Sequence, residues 1–324
     1  MQEFISQCKQ EDAFVFLALH GGIGENGKIQ ELLEKNSLAF NGCNSSTSKI
    51  CMDKYKTGEL VNSCNIEDLG SLPKYKIAIN DSELDHLSLW NELVVAWNCE
   101  QLIVKPNSDG CSAGIVMLNS STELAKYCSL LKENKSEIPE NYFKHQEQII
   151  ELPCNCEKIL LEPFIRVDKL ICSKNKLLHK KNQGWFELTI GILETEGHIK
   201  ALSPSITIAN GSVLSLEEKF QGGTGVNITP PPEEIISAKQ VSMIKEKIAK
   251  FAHKMNLESY ARIDLFFNNI NNKIIIIEIN SLPGLTPSTV IYHQALEEKP
   301  SLDPKSFLEH IIINSWNKVS EPVT

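Results

Sequence analysis

Asp264, Glu278 and Asn280 are oxygen-bearing side chains within two of the most apolar stretches of the chain, Tyr260-Ala-Arg-Ile-Asp-Leu-Phe-Phe267 and Lys273-Ile-Ile-Ile-Ile-Glu-Ile-Asn280. Near-continuous Ile, Leu and Phe predicts two strands buried on both faces, joined by an Asn-rich turn. Side chains two apart in a strand share a face, so Arg262 lies with Asp264, and Glu278 with Asn280. Pairing about a centre at Asn271 sets Asp264 opposite Glu278 and Arg262 opposite Asn280. Facing carboxylates repel, and a buried carboxylate without a partner costs far more. A hard divalent cation would relieve both penalties, which makes these three residues candidate Mg²⁺ ligands. The competing reading is a surface hairpin with a solvated charged stripe. It conflicts with the Ile run, which leaves no polar face wide enough to meet water.

Val104-Lys-Pro-Asn-Ser-Asp-Gly-Cys-Ser-Ala-Gly114 puts Lys105 at a strand end before a small-residue loop whose backbone N–H groups could cradle phosphates. No Gly-Lys-Ser/Thr follows, so it is not a Walker loop, and Lys-Pro at a strand end is often only a turn. Beside an acidic hairpin it gains meaning, because nucleotide phosphates and Mg²⁺ come together. Gly22-Ile-Gly-Glu-Asn-Gly27 fits the dinucleotide pattern, but Glu25 would face the pyrophosphate and no acidic residue follows at the ribose position. Asn280-Ser-Leu-Pro-Gly-Leu-Thr-Pro-Ser-Thr289 offers an unobstructed N–H at Gly284 and hydroxyls at Thr286, Ser288 and Thr289 to a small carboxylate. Taken alone it reads as a Pro-Gly turn with capping hydroxyls.

The elements that must position these residues alternate between strand and helix. Ala13 to Leu19 reads as a buried strand, and Lys28 to Lys35 as a helix after the Gly-rich loop. A helix near Ser48 to Glu59 follows, then strands at 101–105 and 114–118 and a helix from about Ser121. Residues 133–156 are polar and predict a helix with long flanking loops. Strands at 160–165 and 186–193 precede a helix from Glu233 to about Met255, the apolar hairpin, and a last helix near Pro304 to Lys318. Three regions result, 1–47, 48–161 and 162–324.

With 324 residues the chain can form two or three domains with sizeable cores. A net charge of −9 argues against a general grip on nucleic acid, and the lysines between Arg166 and Lys181 read as a solvated insertion. No apolar run approaches a membrane span, and the N-terminus lacks the apolar core of a secretory signal. The ten cysteines form no Cys-x-x-Cys pair, and Cys154 and Cys156 lack a nearby His for zinc. Free thiols in a reducing compartment, cytoplasm or organelle interior, are the better reading.

In order along the chain, these segments resemble the ATP-grasp enzymes, and within them the D-alanine–D-alanine ligases. The matching segments are His20-Gly-Gly-Ile-Gly-Glu-Asn-Gly-Lys-Ile-Gln30, Met52-Asp-Lys54, Val104-Lys-Pro-x₃-Gly-x-Ser-x-Gly114, Glu187-Leu-Thr189, Glu218-Lys219, Arg262-Ile-Asp264 and Glu278-Ile-Asn-Ser-Leu-Pro-Gly-Leu-Thr286. The resemblance implies an α/β chain, α+β in its ATP-grasp part, with a truncated N-terminal open α/β domain, a central subdomain and a C-terminal ATP-grasp domain. It implies ATP and two Mg²⁺ ions (Mn²⁺ being an alternative) and D-alanine as substrate in peptidoglycan precursor synthesis. Lys54 and Lys105 would hold ATP phosphates. Glu162 with the backbone of Pro163 and Ile165 would line the adenine slot, and Glu187 would bind ribose. Lys219 would approach the transferred phosphoryl group, while Asp264, Glu278 and Asn280 would bind metal. Arg262 and the Gly284 N–H would stabilise the developing oxyanion, and His20, Ser288 and Thr289 would help to hold the amino acids. A homodimer is usual for the resembled family.

Three departures matter. The family's first strand, with a Glu that orients the first D-alanine, has no counterpart ahead of His20. Cys111 stands where Ser is usual, and Phe220 where Tyr is usual. In the family that Glu, Ser and Tyr clasp a mobile loop shut, so these read as one coordinated change. Phe at this position also occurs in relatives that accept D-lactate, which keeps D-alanine–D-lactate ligation as an alternative. Two further alternatives are a non-catalytic nucleotide-binding relative and one part of a longer tandem protein.

Overall fold

The computed structural model describes residues 2–19, 21–108, 113–173, 176–208 and 226–320. Its contacts divide the chain into two compact units. One comprises residues 1–52, 59–71 and 167–324, the other residues 53–58 and 72–166. The first 52 residues therefore group with the C-terminal part of the chain.

The larger unit is built on one sheet, in the order Leu69–Ser71, Ile274–Asn280, Tyr260–Asn268, Trp185–Thr195, Ser205–Ile208, Val226–Ile228, with His198–Ala201 also pairing to Trp185–Thr195. Leu69–Ser71 runs parallel to its neighbour, and the other ladders are antiparallel. Alternation splits the central strands between two apolar layers. Ala261, Ile263, Leu265 and Phe267 pack under the helix Ala238–Lys254, which buries Ile244, Ile248, Phe251 and Ala252 at helical spacing. That helix starts at Ser237, where a reciprocal capping box with Gln240 satisfies two orphan donors. On the other face Tyr260 and Leu193 join Ile5, Val15, Leu33, Ile291, Phe307 and Ile311 from the N-terminal segment and the helices Val290–Leu296 and Pro304–Ser320.

The smaller unit is a four-stranded antiparallel sheet, Tyr75–Ala78, Lys158–Pro163, Leu102–Pro106 and Val116–Leu118 in that order. The helices His86–Ala96 and Ser121–Lys132, capped by Asp85 and Ser120, help enclose its core of Leu102, Val104, Leu118, Leu124, Tyr127, Ile159 and Leu161.

Several expectations are corrected. Residues 13–19 make one parallel bridge, Val15 to Phe40, instead of a buried strand. The Asn41 side chain takes both backbone groups of Leu17, so a side-chain amide replaces the ladder, and Phe16 and Leu19 stay exposed. The stretch 133–156 holds no helix but two short paired strands, Glu137–Ile138 and Ile150–Glu151. Buried Gln146 organises it by accepting from the N–H groups of Tyr142 and Phe143 and donating to Pro139 O. The helix expected at 48–59 is two helices, Ser45–Met52 and Lys54–Ser63. Asp53 separates them and accepts from the Tyr55 and Lys56 N–H groups in the manner of an N-cap. The lysine-rich insertion contains two antiparallel paired strands, Lys169–Ser173 and Lys176–Lys180.

Candidate active site

In the larger unit the hairpin pairs as the sequence implied: Asp264 opposite Glu278, and Arg262 opposite Asn280. Immediately beyond Asp264 the register shifts by one residue, a bulge that interrupts the ladder beside the carboxylate before pairing resumes at Leu265 opposite Ile276. On the other side Thr189 neighbours Asp264 and Gly191 neighbours Arg262. Two rows therefore cross one face of the sheet, Thr189–Asp264–Glu278 and Gly191–Arg262–Asn280.

Asp264 is buried and fully engaged. Its Oδ1 accepts from Thr189 Oγ1 at 2.6 Å and Arg262 Nε at 3.2 Å. Its Oδ2 accepts from Arg262 Nη2 at 3.1 Å and Asn280 Nδ2 at 3.2 Å. This revises the premise that a metal must relieve the buried acids: Arg262 already neutralises Asp264. Burial works against the Arg262 charge, but Asp264, Glu278 and Glu25 outweigh it and push its pKa up. Three acidic side chains, Asp264, Glu278 and Glu25, act on the one Arg262 guanidinium, an acidic setting suited to a divalent cation. All the donors are hard oxygens, and Asn280, with its N–H₂ spent on Asp264, has its carbonyl oxygen to offer, so the residues fit Mg²⁺. Next to them Ser281 buries a hydroxyl that has no hydrogen-bond partner. Among the described residues no three His, Cys, Asp or Glu side chains cluster as a metal site, so this donor set needs the Asn280 amide.

Glu25 was read from sequence only as an obstacle to a pyrophosphate. It is buried, and it accepts from the Gly21 N–H at 2.9 Å and the Leu282 N–H at 3.3 Å, tying the Gly-rich segment to the chain just after Asn280. Its place inside the His-Gly-Gly-Ile-Gly-Glu-Asn-Gly block was the available signal. The segment Gly22–Glu25 is one helical turn rather than a loop. Gln294, also missed, is wholly buried and binds the Gly191 N–H, the Thr189 carbonyl and Ser205 Oγ, bracing the strand that carries Thr189. A glutamine in a short helix carries no sequence signal for this.

Space is open where a side chain would leave Gly284, with no atom within 4 Å. Thr286 and Ser288 are exposed, and Thr289 caps the helix Val290–Leu296 without a side-chain cap bond, leaving that role unspent. Glu187, half-buried, lies opposite Phe266 on the strand that carries Thr189.

In the smaller unit Lys105 and Glu162 come together: Lys105 Nζ lies 2.7 Å from Glu162 Oε2. Lys74, which no motif flagged, pairs with Glu162 Oε1. Burial would raise the Glu162 carboxyl, but the Lys105 and Lys74 ammoniums win and hold it below the usual range. Lys54 is buried, and its N–H donates to Asn107 O at 3.0 Å, which fixes the helix start to the strand end after Lys105. Pro163 and Ile165 are half-buried at the end of the Glu162 strand. His20, Cys111, Lys219 and Phe220 lie outside the described residues.

Strand order and site together define an ATP-grasp ligase fold. Solved structures agree. The D-alanine–D-alanine ligase of Bacillus anthracis complexed with ATP superposes with a TM-score of 0.68 at 19% identity, over 98% of this chain and 84% of that one. The VanG D-Ala:D-Ser ligase of Enterococcus faecalis gives 0.66 at 19% identity, over 93% and 72%. Residues 157–313 match the family model described as D-ala D-ala ligase C-terminus. The D-alanine–D-alanine ligase of Aquifex aeolicus is 27% identical over 92% of this chain and 81% of its own length. That of Pediococcus pentosaceus is 26% identical over 95% and 70%. Residues 157–313 thus match a D-ala D-ala ligase C-terminal domain, and over most of its length the chain is similar to D-alanine–D-alanine ligases.

Proposed function

We propose that this chain joins two D-alanines at the expense of ATP and Mg²⁺. The γ-phosphoryl group passes to the carboxylate of the first D-alanine, giving D-alanyl phosphate and ADP. The amine of the second then attacks the acyl carbon, loses a proton, and expels phosphate as the amide forms. The observation that carries this reading is the paired register of Asp264 with Glu278 and of Arg262 with Asn280, within the residues that match this family's model.

The chain's own residues take the following parts. Lys54 and Lys105 neutralise ATP phosphates, and Lys219 approaches the group in transit. Glu162, with the backbone of Pro163 and Ile165, receives adenine, and Glu187 the ribose. Arg262 and the Gly284 N–H face the oxyanion that develops at the acyl carbon, where positioned donors lower the barrier most. His20, Ser288 and Thr289 orient the amino acids, and Cys111 and Phe220 stand at the places of the family's Ser and Tyr. Asp264, Glu278 and Asn280 would hold Mg²⁺, two ions in this reading, which when bound would supply charge neutralisation for the phosphates. A homodimer belongs to the same proposal. Among the described residues no helix is long and apolar enough to cross a membrane.

Phosphate release from ATP tests the reading. It should require D-alanine and Mg²⁺, and mass spectrometry should show the D-alanyl-D-alanine dipeptide. Parallel reactions with D-lactate or D-serine added beside D-alanine report the second substrate. Nucleotide binding with no D-alanine-dependent release would replace the ligase reading with a binding one.

A further inference from the structure

Lys74 has no role in the reaction as derived so far, yet it occupies one of the most constrained electrostatic positions in the chain. It immediately precedes the strand Tyr75–Ala78, whose register on Lys158–Pro163 (Tyr75 opposite Leu161) sets Lys74 beside Glu162. Lys105 comes from the strand on the other flank, where Val104 lies opposite Leu161. Glu162 thus sits on a central strand with an ammonium from each neighbour, one on each carboxylate oxygen. The three side chains are only 4–6% exposed, so none can rely on water for compensation. Lys54 adds a further positive charge within electrostatic reach of Lys74.

That geometry poses a problem for nucleotide binding. Lys105 cannot remain on Glu162 and also serve a phosphate group at full strength, and a buried carboxylate stripped of its only counter-ion is costly. A second, standing counter-ion removes the conflict. We propose that Lys74 is this counter-ion: it holds Glu162 ionised and in place, freeing Lys105 to move onto the phosphates of the bound nucleotide. The inference rests on the nucleotide reading of Lys105 and Glu162 given above. It makes Lys74 a positioning residue, acting on phosphate affinity through Glu162 and not by touching the reacting atoms.

The test compares ATP with adenosine, which lacks phosphates, by calorimetric titration of the full chain. In Lys74→Met, Glu162 would claim Lys105 for itself. ATP affinity should fall by about tenfold or more, while adenosine affinity stays within about twofold, and Lys74→Arg should restore the ATP value. In a Glu162→Gln background the same Lys74→Met change should leave the ATP-to-adenosine affinity ratio unaltered. This charge-balanced comparison also decides the matter if Lys74→Met alone fails to fold. Equal losses for ATP and adenosine would assign Lys74 a purely structural part and overturn the proposal. A selective ATP loss that persists in the Glu162→Gln background would overturn it too, since Lys74 would then act on phosphate directly. Failure of the unsubstituted chain to bind ATP would remove the nucleotide reading itself, and this inference with it.

Discussion

Asp264→Asn separates the structural and chemical duties of the acidic row. Asp264 accepts four hydrogen bonds, two on each oxygen. An asparagine keeps one acceptor oxygen and presents N–H₂ at the other end. Retaining the short Thr189 bond turns that amide nitrogen towards Arg262 Nη2 and Asn280 Nδ2, both donors. Two buried hydrogen bonds become donor–donor contacts, one of them charged, a loss of about 3 kcal/mol. Removing one partner of a buried ion pair costs about 3–5 kcal/mol in general, and Glu278 and Glu25 near the guanidinium favour the lower end. With a urea slope of about 3 kcal/mol/M, the unfolding midpoint should fall by about 1 M. Circular dichroism and tryptophan fluorescence, to which Trp185 on the strand beside Asp264 contributes, would follow it. D-alanine-dependent phosphate release should drop beyond the roughly 10–100-fold cost of losing a mere supporting group around a metal. A midpoint shift below about 0.2 M would refute the ion-pair accounting, and unchanged release would remove Asp264 from the site.

Other perturbations probe neighbouring features. Gly191→Ala would bring a methyl group within 2.7 Å of Ile291 and 2.8 Å of Gln294 Oε1, so thermal unfolding should report a loss of about 1–3 kcal/mol, and an undiminished melting temperature would contradict that packing. The Glu162 carboxyl titrates below its ordinary value of 4.5, so its contribution to stability is complete above that pH and is lost as pH falls through the lower folded-state value. Urea midpoints measured downward from pH 5 should therefore decline less steeply in Glu162→Gln than in the unsubstituted chain. Phe220→Tyr should shift product from depsipeptide towards dipeptide when D-lactate and D-alanine compete. An unaltered product ratio would count against a loop role in second-substrate choice.

Much of the site was legible because β-structure has a period of two. Once Tyr260 to Phe267 and Lys273 to Asn280 were read as strands about Asn271, the pairs Asp264–Glu278 and Arg262–Asn280 followed from counting, and the ladder has those pairs. The bulge just past Asp264 did not follow, since both neighbouring segments are uniformly apolar and neither announces an extra residue. Local polar chemistry misled the reading where side chains replaced backbone partners. Asn41 takes the place of a ladder at Leu17, and Gln146 organises the polar segment where a helix was expected. Lys74 and Gln294 were invisible for a different reason. Their partners lie 88 residues away at Glu162 and 103 residues away at Gly191, and neither residue sits in a motif.

By itself the sequence determined the apolar hairpin, which side chains share its faces, and the ordered motifs that carry the family resemblance, because alternation and spacing are properties of the chain. Tertiary structure alone decided the charge balance. It closed Arg262 onto Asp264, brought Glu25 up to Arg262, and set Lys74 and Lys105 on the two oxygens of Glu162. The reason is electrostatic: the energy of a charge depends on distance and burial, and folding sets both by joining segments remote in sequence.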